Sequence, residues 1–144
     1  MIGGLFDGGA ISALERTVQF ASLRHQSLMN NIANISTPNF QPADVSVKSF
    51  QQALSAAINA NRGGAGGDFA PLRFRDLDGL HFTAGSIEAQ PGRTHDNLLF
   101  HDRNNRSLET MMKDLAENTL AHNTALELLK SKFALMDIAI KERV

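Results

Sequence analysis

From Ile11 the apolar positions run Ile11, Leu14, Val18 and Ala21, then, with His25 filling one polar step, Leu28, Ile32 and Ile35, at alternating intervals of three and four. That interval keeps one stripe on a single helical face and is the seam of a coiled coil. The spacing predicts a helix over about residues 10–35. Ser12 and Glu15 stand in capping-box spacing, Asp7 offers a start one turn earlier, and Pro38 disfavours helical geometry at Thr37. The same interval returns through Leu108, Met112, Leu115, Thr119, His122, Leu126, Leu129, Phe133, Met136 and Ile140. Ser107 is its expected N-cap. Glu109 in the first turn and Lys141 and Arg143 in the last suit the helix dipole, partly offset by Glu142. At a rise of 1.5 Å per residue the two helices would measure about 40 Å and about 50–55 Å. They are rods too long for a small globule.

Each helix also carries apolar residues off its seam: Ala13, Phe20 and Leu23 on the first, and Ala121, Leu128, Leu135 and Ile138 on the second. One partner helix cannot cover two lines on the same rod, and no third long helix is predicted to complete a bundle. The expected interaction seam is therefore Leu14, Val18, Leu28, Ile32, Leu115, Leu126, Leu129, Phe133, Met136 and Ile140. The second apolar line, Phe20, Leu23, Leu128, Leu135 and Ile138, is left for sister subunits. The fold class is mainly α, with long terminal heptad helices pairing antiparallel around a flexible, partly extended middle.

That middle has a different texture. Residues 1–40 and 107–144 hold the helices and form one structural unit; residues 41–106 lie between. A short amphipathic helix is expected over about 47–60, followed by a glycine-rich linker at 62–67. Leu72-Arg73-Phe74-Arg75 and Leu80-His81-Phe82-Thr83 alternate as an extended segment or small hairpin would.

Composition narrows the chemistry. The 144 residues carry a net charge of −1 with 20% charged positions, so there is no basic field for nucleic acid or anionic lipid. Cysteine is absent, removing disulfides and thiolate ligands, and nine Phe stand beside no Trp or Tyr. No apolar run nears the roughly 20 residues that cross a bilayer, and the first residues lack the basic and apolar regions of a cleaved secretory signal. His25 and His122 sit on the seams as register-setting fillers, and His81, His95 and His101 lie in loops without helical zinc spacing. The glycine run lacks the Lys-Ser/Thr of a phosphate loop. Arg73, Arg75 and Arg93 are diluted by Asp76, Asp78 and Glu88. These features predict no catalytic residue, no metal and no cofactor; the chain is not expected to be an enzyme.

The first helix closes on Asn31-Ile32-Ala33-Asn34, and after two spacer residues comes Thr37-Pro38-Asn39-Phe40. Asparagines near a helix end satisfy orphan backbone groups, and Thr-Pro stops the helix and redirects the chain. This resembles the N-terminal signature of flagellar rod and hook proteins, Asn-Ile/Leu-Ala-Asn followed by Thr-Pro-Gly-Tyr. The signature residues here are Asn31, Ile32, Ala33, Asn34, Thr37, Pro38 and Phe40, with Asn39-Phe40 in place of Gly-Tyr. Leu23-Arg24, Asp44 and Phe50-Gln51-Gln52-Ala53-Leu54 are similar to the proximal-rod branch of that family, while Gln41-Pro42-Ala43 departs from a commonly basic stretch. At the other end Asn104-Asn105-Arg106-Ser107-Leu108-Glu109, Leu128-Leu129-Lys130-Ser131-Lys132-Phe133 and Ala139-Ile140 resemble it as well.

The resemblance, which covers both ends and not the middle, implies a structural subunit of the proximal rod of the bacterial flagellar basal body. Such a subunit would polymerise through its terminal helices and transmit torque. Its implied partners are itself, other rod subunits, membrane-ring and export-gate adaptor proteins at the rod base, and the flagellar type III export apparatus. The implied location is the periplasmic rod, reached without a cleaved signal peptide. A soluble coiled-coil adaptor or export chaperone is the alternative that the heptads alone also allow.

Overall fold

The computed structural model describes residues 8–38, 40–63, 72–77, 79–83, 85–93 and 105–141. Helix α1 spans Gly8–Ala33 and α3 spans Asn105–Lys141, with α2 at Val47–Gly63 between them. Among the described residues four short strands complete the order: β1 (Ala43–Asp44), β2 (Leu80–Phe82), β3 (Ile87–Ala89) and β4 (Gly92–Arg93). At 26 and 37 residues the long helices extend about 40 Å and about 55 Å. Ser107, expected before the second long helix, lies inside its first turn, because α3 starts at Asn105. The linker read at 62–67 lies outside the described residues from position 64 onward, as do His95 and His101.

α1 is the spine, and α3 lies along it antiparallel. The Asn118 side-chain amide donates to the Ala21 carbonyl at 2.8 Å, and Arg24 comes within 3.9 Å of Asp114. Numbers thus rise along α1 as they fall along α3. On α1 the seam positions Ala21 and Leu28 are each 2% exposed, with Leu14, Val18 and Ile32 half-buried.

On α3 a shielded stripe runs through Met111, Leu115, Asn118, His122, Ala125, Leu129, Lys132, Met136 and Ala139, again in steps of four and three, with Asp114 and Leu126 half-buried beside it. This shares one column, Leu115, His122, Leu129 and Met136, with the seam read from hydrophobicity. The other column runs through Met111, Asn118, Ala125 and Lys132 in place of Met112, Thr119, Leu126, Phe133 and Ile140. The physical reason is local. Small Ala125 and hydrogen-bonding Asn118 let the α1 backbone approach closely, and the bond to Ala21 sets the rotation of α3. Leu126 stays half-buried beside the contact, whereas Phe133 and Ile140 are 48% and 62% exposed.

The other side of α1 holds the deepest core. Phe20, Val45, Phe50, Leu80 and Ile87 form one buried cluster, with Leu23, Val47, Leu54, Phe82 and Ala89 against it. Phe20 and Phe50 stack with ring centroids 4.2 Å apart and planes 7° from parallel. The expectation that Phe20 and Leu23 wait for a sister subunit is corrected here, because α2 and the β2–β3 hairpin cover them within the chain. Fully burying such a side chain is worth roughly 1.5–3 kcal/mol, enough to hold a region whose strands are two or three residues long. Ser46 caps α2, its hydroxyl accepting from the Ser49 amide at 3.2 Å.

β2 pairs β3 antiparallel and β1 pairs β4 antiparallel. The hairpin begins at Gly79, whose φ of 74° suits glycine because a Cβ would stand 2.9 Å from the Gln90 carbonyl oxygen. Its tip is tied down by α1. Arg16 donates to the Thr83 carbonyl at 2.7 Å and Gln19 to the Gly85 carbonyl at 2.9 Å. The Arg16 guanidinium also lies 5.7 Å from the centre of Phe74, which stacks on Phe82.

Candidate assembly surface and the helix-end signature

The end of α1 is built by two asparagines doing different work. Asn34 donates from its amide to the Asn30 carbonyl at 2.8 Å, and its backbone N–H reaches the same carbonyl at 3.1 Å. Thr37 N–H then bonds the Asn34 carbonyl at 2.9 Å, and Phe40 N–H bonds the Thr37 carbonyl at 3.2 Å. The last helical carbonyls are thus satisfied by a tightening turn that hands the chain to Pro38. Phe40 ends half-buried, while Thr37 and Pro38 are exposed.

Asn31 is 3% exposed and grips the returning chain. Its amide donates to the Ala43 carbonyl at 2.7 Å while its oxygen accepts from the Ala43 N–H at 3.1 Å. One side chain therefore reads a backbone residue as a neighbouring strand would, covering β1 on that side. Ser27, one turn earlier, donates to the same carbonyl at 2.7 Å. One turn earlier again, Arg24 grips Asp44 through Nη2 at 2.8 Å and Nε at 3.2 Å to each oxygen. Positions 24, 27 and 31 share one helical face, so the sequence spacing aligns three grips along β1. Sequence reasoning quoted Arg24, Asp44 and Asn31 but passed over Ser27 and Asn118. Their signal was present: a hydroxyl one turn before the signature, and an amide one turn after the seam Leu115.

Besides Leu108, Met112, Phe133 and Ile140, the large apolar side chains of α3 that face water are Leu120 (69% exposed), Leu128 (52%), Leu135 (39%) and Ile138 (53%). Leu128, Leu135 and Ile138 recur with Ala121, Thr124 and Ser131 at three and four, a second heptad stripe away from the α1-facing column, with Leu120 beside its start. Continuing the Ala21–Asn118 register one residue for one residue sets Gly8, the first described residue of α1, opposite about position 131 of α3. Phe133 and Ile140 lie beyond that point and beside, rather than on, the shielded column of Lys132 and Met136. Of the second apolar line, Leu128, Leu135 and Ile138 are exposed and Phe20 and Leu23 are covered within the chain.

The histidines add little chemistry. His25 and His122 line one shallow cleft with Ser22, Asn118 and Thr119. His81 Nδ1 lies 3.1 Å from Asp76 on the surface. No group of three or more potential metal ligands occurs among the described residues, and no helix there is long and apolar enough to cross a membrane.

No protein-family profile matches the chain, and no solved structure matches it. Two curated relatives do, almost end to end. It is 28% identical over 136 residues to the flagellar basal body rod protein FlgB of Borrelia hermsii, covering 92% of this chain and 96% of that one. To the flagellar basal body rod protein FlgB of Bacillus subtilis (strain 168) it is 26% identical over 125 residues, covering 87% and 88%. These likenesses span the middle as well as the two helices, and with the helix-end signature they support the FlgB family of flagellar basal body rod proteins as the one this chain is similar to.

Proposed function

We propose that this chain is a proximal-rod subunit that polymerises through its terminal helices and carries torque along them. The likeness to FlgB proteins along nearly the whole chain supports a structural rod protein of the flagellar basal body, associated with other rod components rather than catalysing a reaction. One observation carries the finer reading. α1 is covered on two sides within the chain, but α3 leaves Leu128, Leu135 and Ile138 on one heptad stripe, with Leu120 beside it, in water. Large exposed apolar side chains recurring along one face of a long helix support burial against neighbouring copies. A head-to-tail contact whose rotation does not close grows a helical filament, the geometry a rod requires. Adaptors at the rod base and passage through the type III apparatus to the periplasm belong to the same proposal, supported by the family likeness.

The test is replacement of Leu128 or Leu135 by Glu. A buried carboxylate without a partner is strongly unfavourable, so incorporation into basal bodies and motility are expected to fail while monomer helicity is kept. Normal motility with full incorporation would overturn the proposal. A discrete, stably folded small oligomer that never joins basal bodies would identify an adaptor or chaperone instead.

A further inference from the structure

Arg24 stands where the two halves of the molecule meet. Its side chain is 12% exposed, with Asp44 of β1 on one side at 2.8 Å and Asp114 of α3 on the other at 3.9 Å, both measured from the same Nη2. The two carboxylates share this Nη2 unequally. In this arrangement Asp44 has the near-bidentate grip, through three donor contacts. Asp44 is also pinned by its own neighbour, because its Oδ1 accepts the Val45 N–H at 2.7 Å, so it moves only with β1. Asp114 is held independently, since Asn118 one turn along α3 anchors that helix to Ala21.

We propose that Arg24 is a transferable latch: it clips β1 to α1 when the middle region is docked and passes to Asp114 when β1 lifts. The contact to Asp114 needs to shorten by only roughly an ångström to become a charge-assisted hydrogen bond. The helix pair thereby gains a tie at the moment it loses the middle region. Docking of β1 and tightening of α3 oppose one another at this residue, and neither carboxylate's contribution is independent of the other.

The test is a double-mutant cycle in the full chain with Asp44→Asn and Asp114→Asn, read by urea unfolding and by the Arg24 Nε–Hε resonance. Asp114→Asn alone is expected to change the unfolding equilibrium by less than about threefold, and by about tenfold in the Asp44→Asn background. The resonance is expected to answer Asp114→Asn strongly only in that background. Equal factors in the two backgrounds, or a resonance indifferent to Asp114 in both, would overturn the latch. A second variant keeps the test open should Asp44→Asn not fold. Asp114→Glu extends the α3 carboxylate toward Arg24, and it is expected to shift the Arg24 resonance and lower exchange protection of the Val45 amide. An unmoved resonance there would equally refute the proposal.

Discussion

Replacing Asn31 by Ala removes the two bonds that its carboxamide makes with the Ala43 backbone, at 2.7 and 3.1 Å. The Ala43 carbonyl keeps the Ser27 hydroxyl at 2.7 Å, so the larger loss falls on the Ala43 N–H, which faced the Asn31 oxygen. Each bond contributes about 1 kcal/mol, and a desolvated amide left without its acceptor costs about 1–3 kcal/mol. These overlap, and together they set Asn31→Ala at about 2–3 kcal/mol. On the unfolding equilibrium that is roughly 30- to 160-fold, a large share of the stability of a small domain. Urea unfolding followed by far-ultraviolet circular dichroism measures it directly. Asn31→Asp sharpens the test, being nearly the same shape. It keeps an acceptor for the Ala43 N–H but turns lone pairs toward the Ala43 carbonyl, so the expected loss matches or exceeds that of Ala. An Asn31→Asp chain within about 0.5 kcal/mol of the parent would refute the reading of Asn31 as a two-way backbone grip.

Other expectations follow from the middle region. Phe20→Ala deletes the ring stacked on Phe50 at 4.2 Å and should cost about 3–5 kcal/mol, with exchange protection lost at Leu80 and Ile87 while α3 keeps its helicity. Gly79→Ala forces a side chain onto a φ of 74° with its Cβ 2.9 Å from Gln90 O; a loss of about 1–3 kcal/mol is expected, seen as loosened amides in the β2–β3 hairpin. The Asp76 carboxylate accepts the Phe82 N–H at 2.9 Å and faces His81, which together hold its carboxyl below the usual aspartate range. Its stabilising contribution is therefore fully present above the ordinary aspartate pKa and is lost as pH falls through the folded-state value. A nuclear magnetic resonance titration of Asp76 should show that low midpoint, and Asp76→Asn should remove this acid-side loosening of the hairpin.

The two rods were legible because three-four periodicity over several turns has no other economical meaning, and α1 and α3 lie within about two residues of their expected starts. The rotation of α3 was less so. Hydrophobicity weights Phe133 and Ile140 heavily, but the close contact selects Ala125 and Asn118, where small size and an amide matter more than transfer energy. The covering of Phe20 and Leu23 was hidden for a related reason. Residues 72–93 offer scattered short apolar stretches, and only their three-dimensional meeting with Phe50 and Val45 makes a core. The signature residues were visible as a motif, and the turn at Asn34 follows from chemistry that the sequence displays. The grip of Asn31 on Ala43 was not visible, since it depends on where the chain returns after Pro38.

The central claim is that the outward stripe of α3 is water-exposed in the free subunit and covered by other copies in the rod. Because the chain has no cysteine, a single Leu135→Cys variant can be labelled with a maleimide in two states. The account predicts rapid labelling of the purified monomer and strong protection in isolated basal bodies. Equal labelling in both, or absence of the chain from basal bodies altogether, would contradict it.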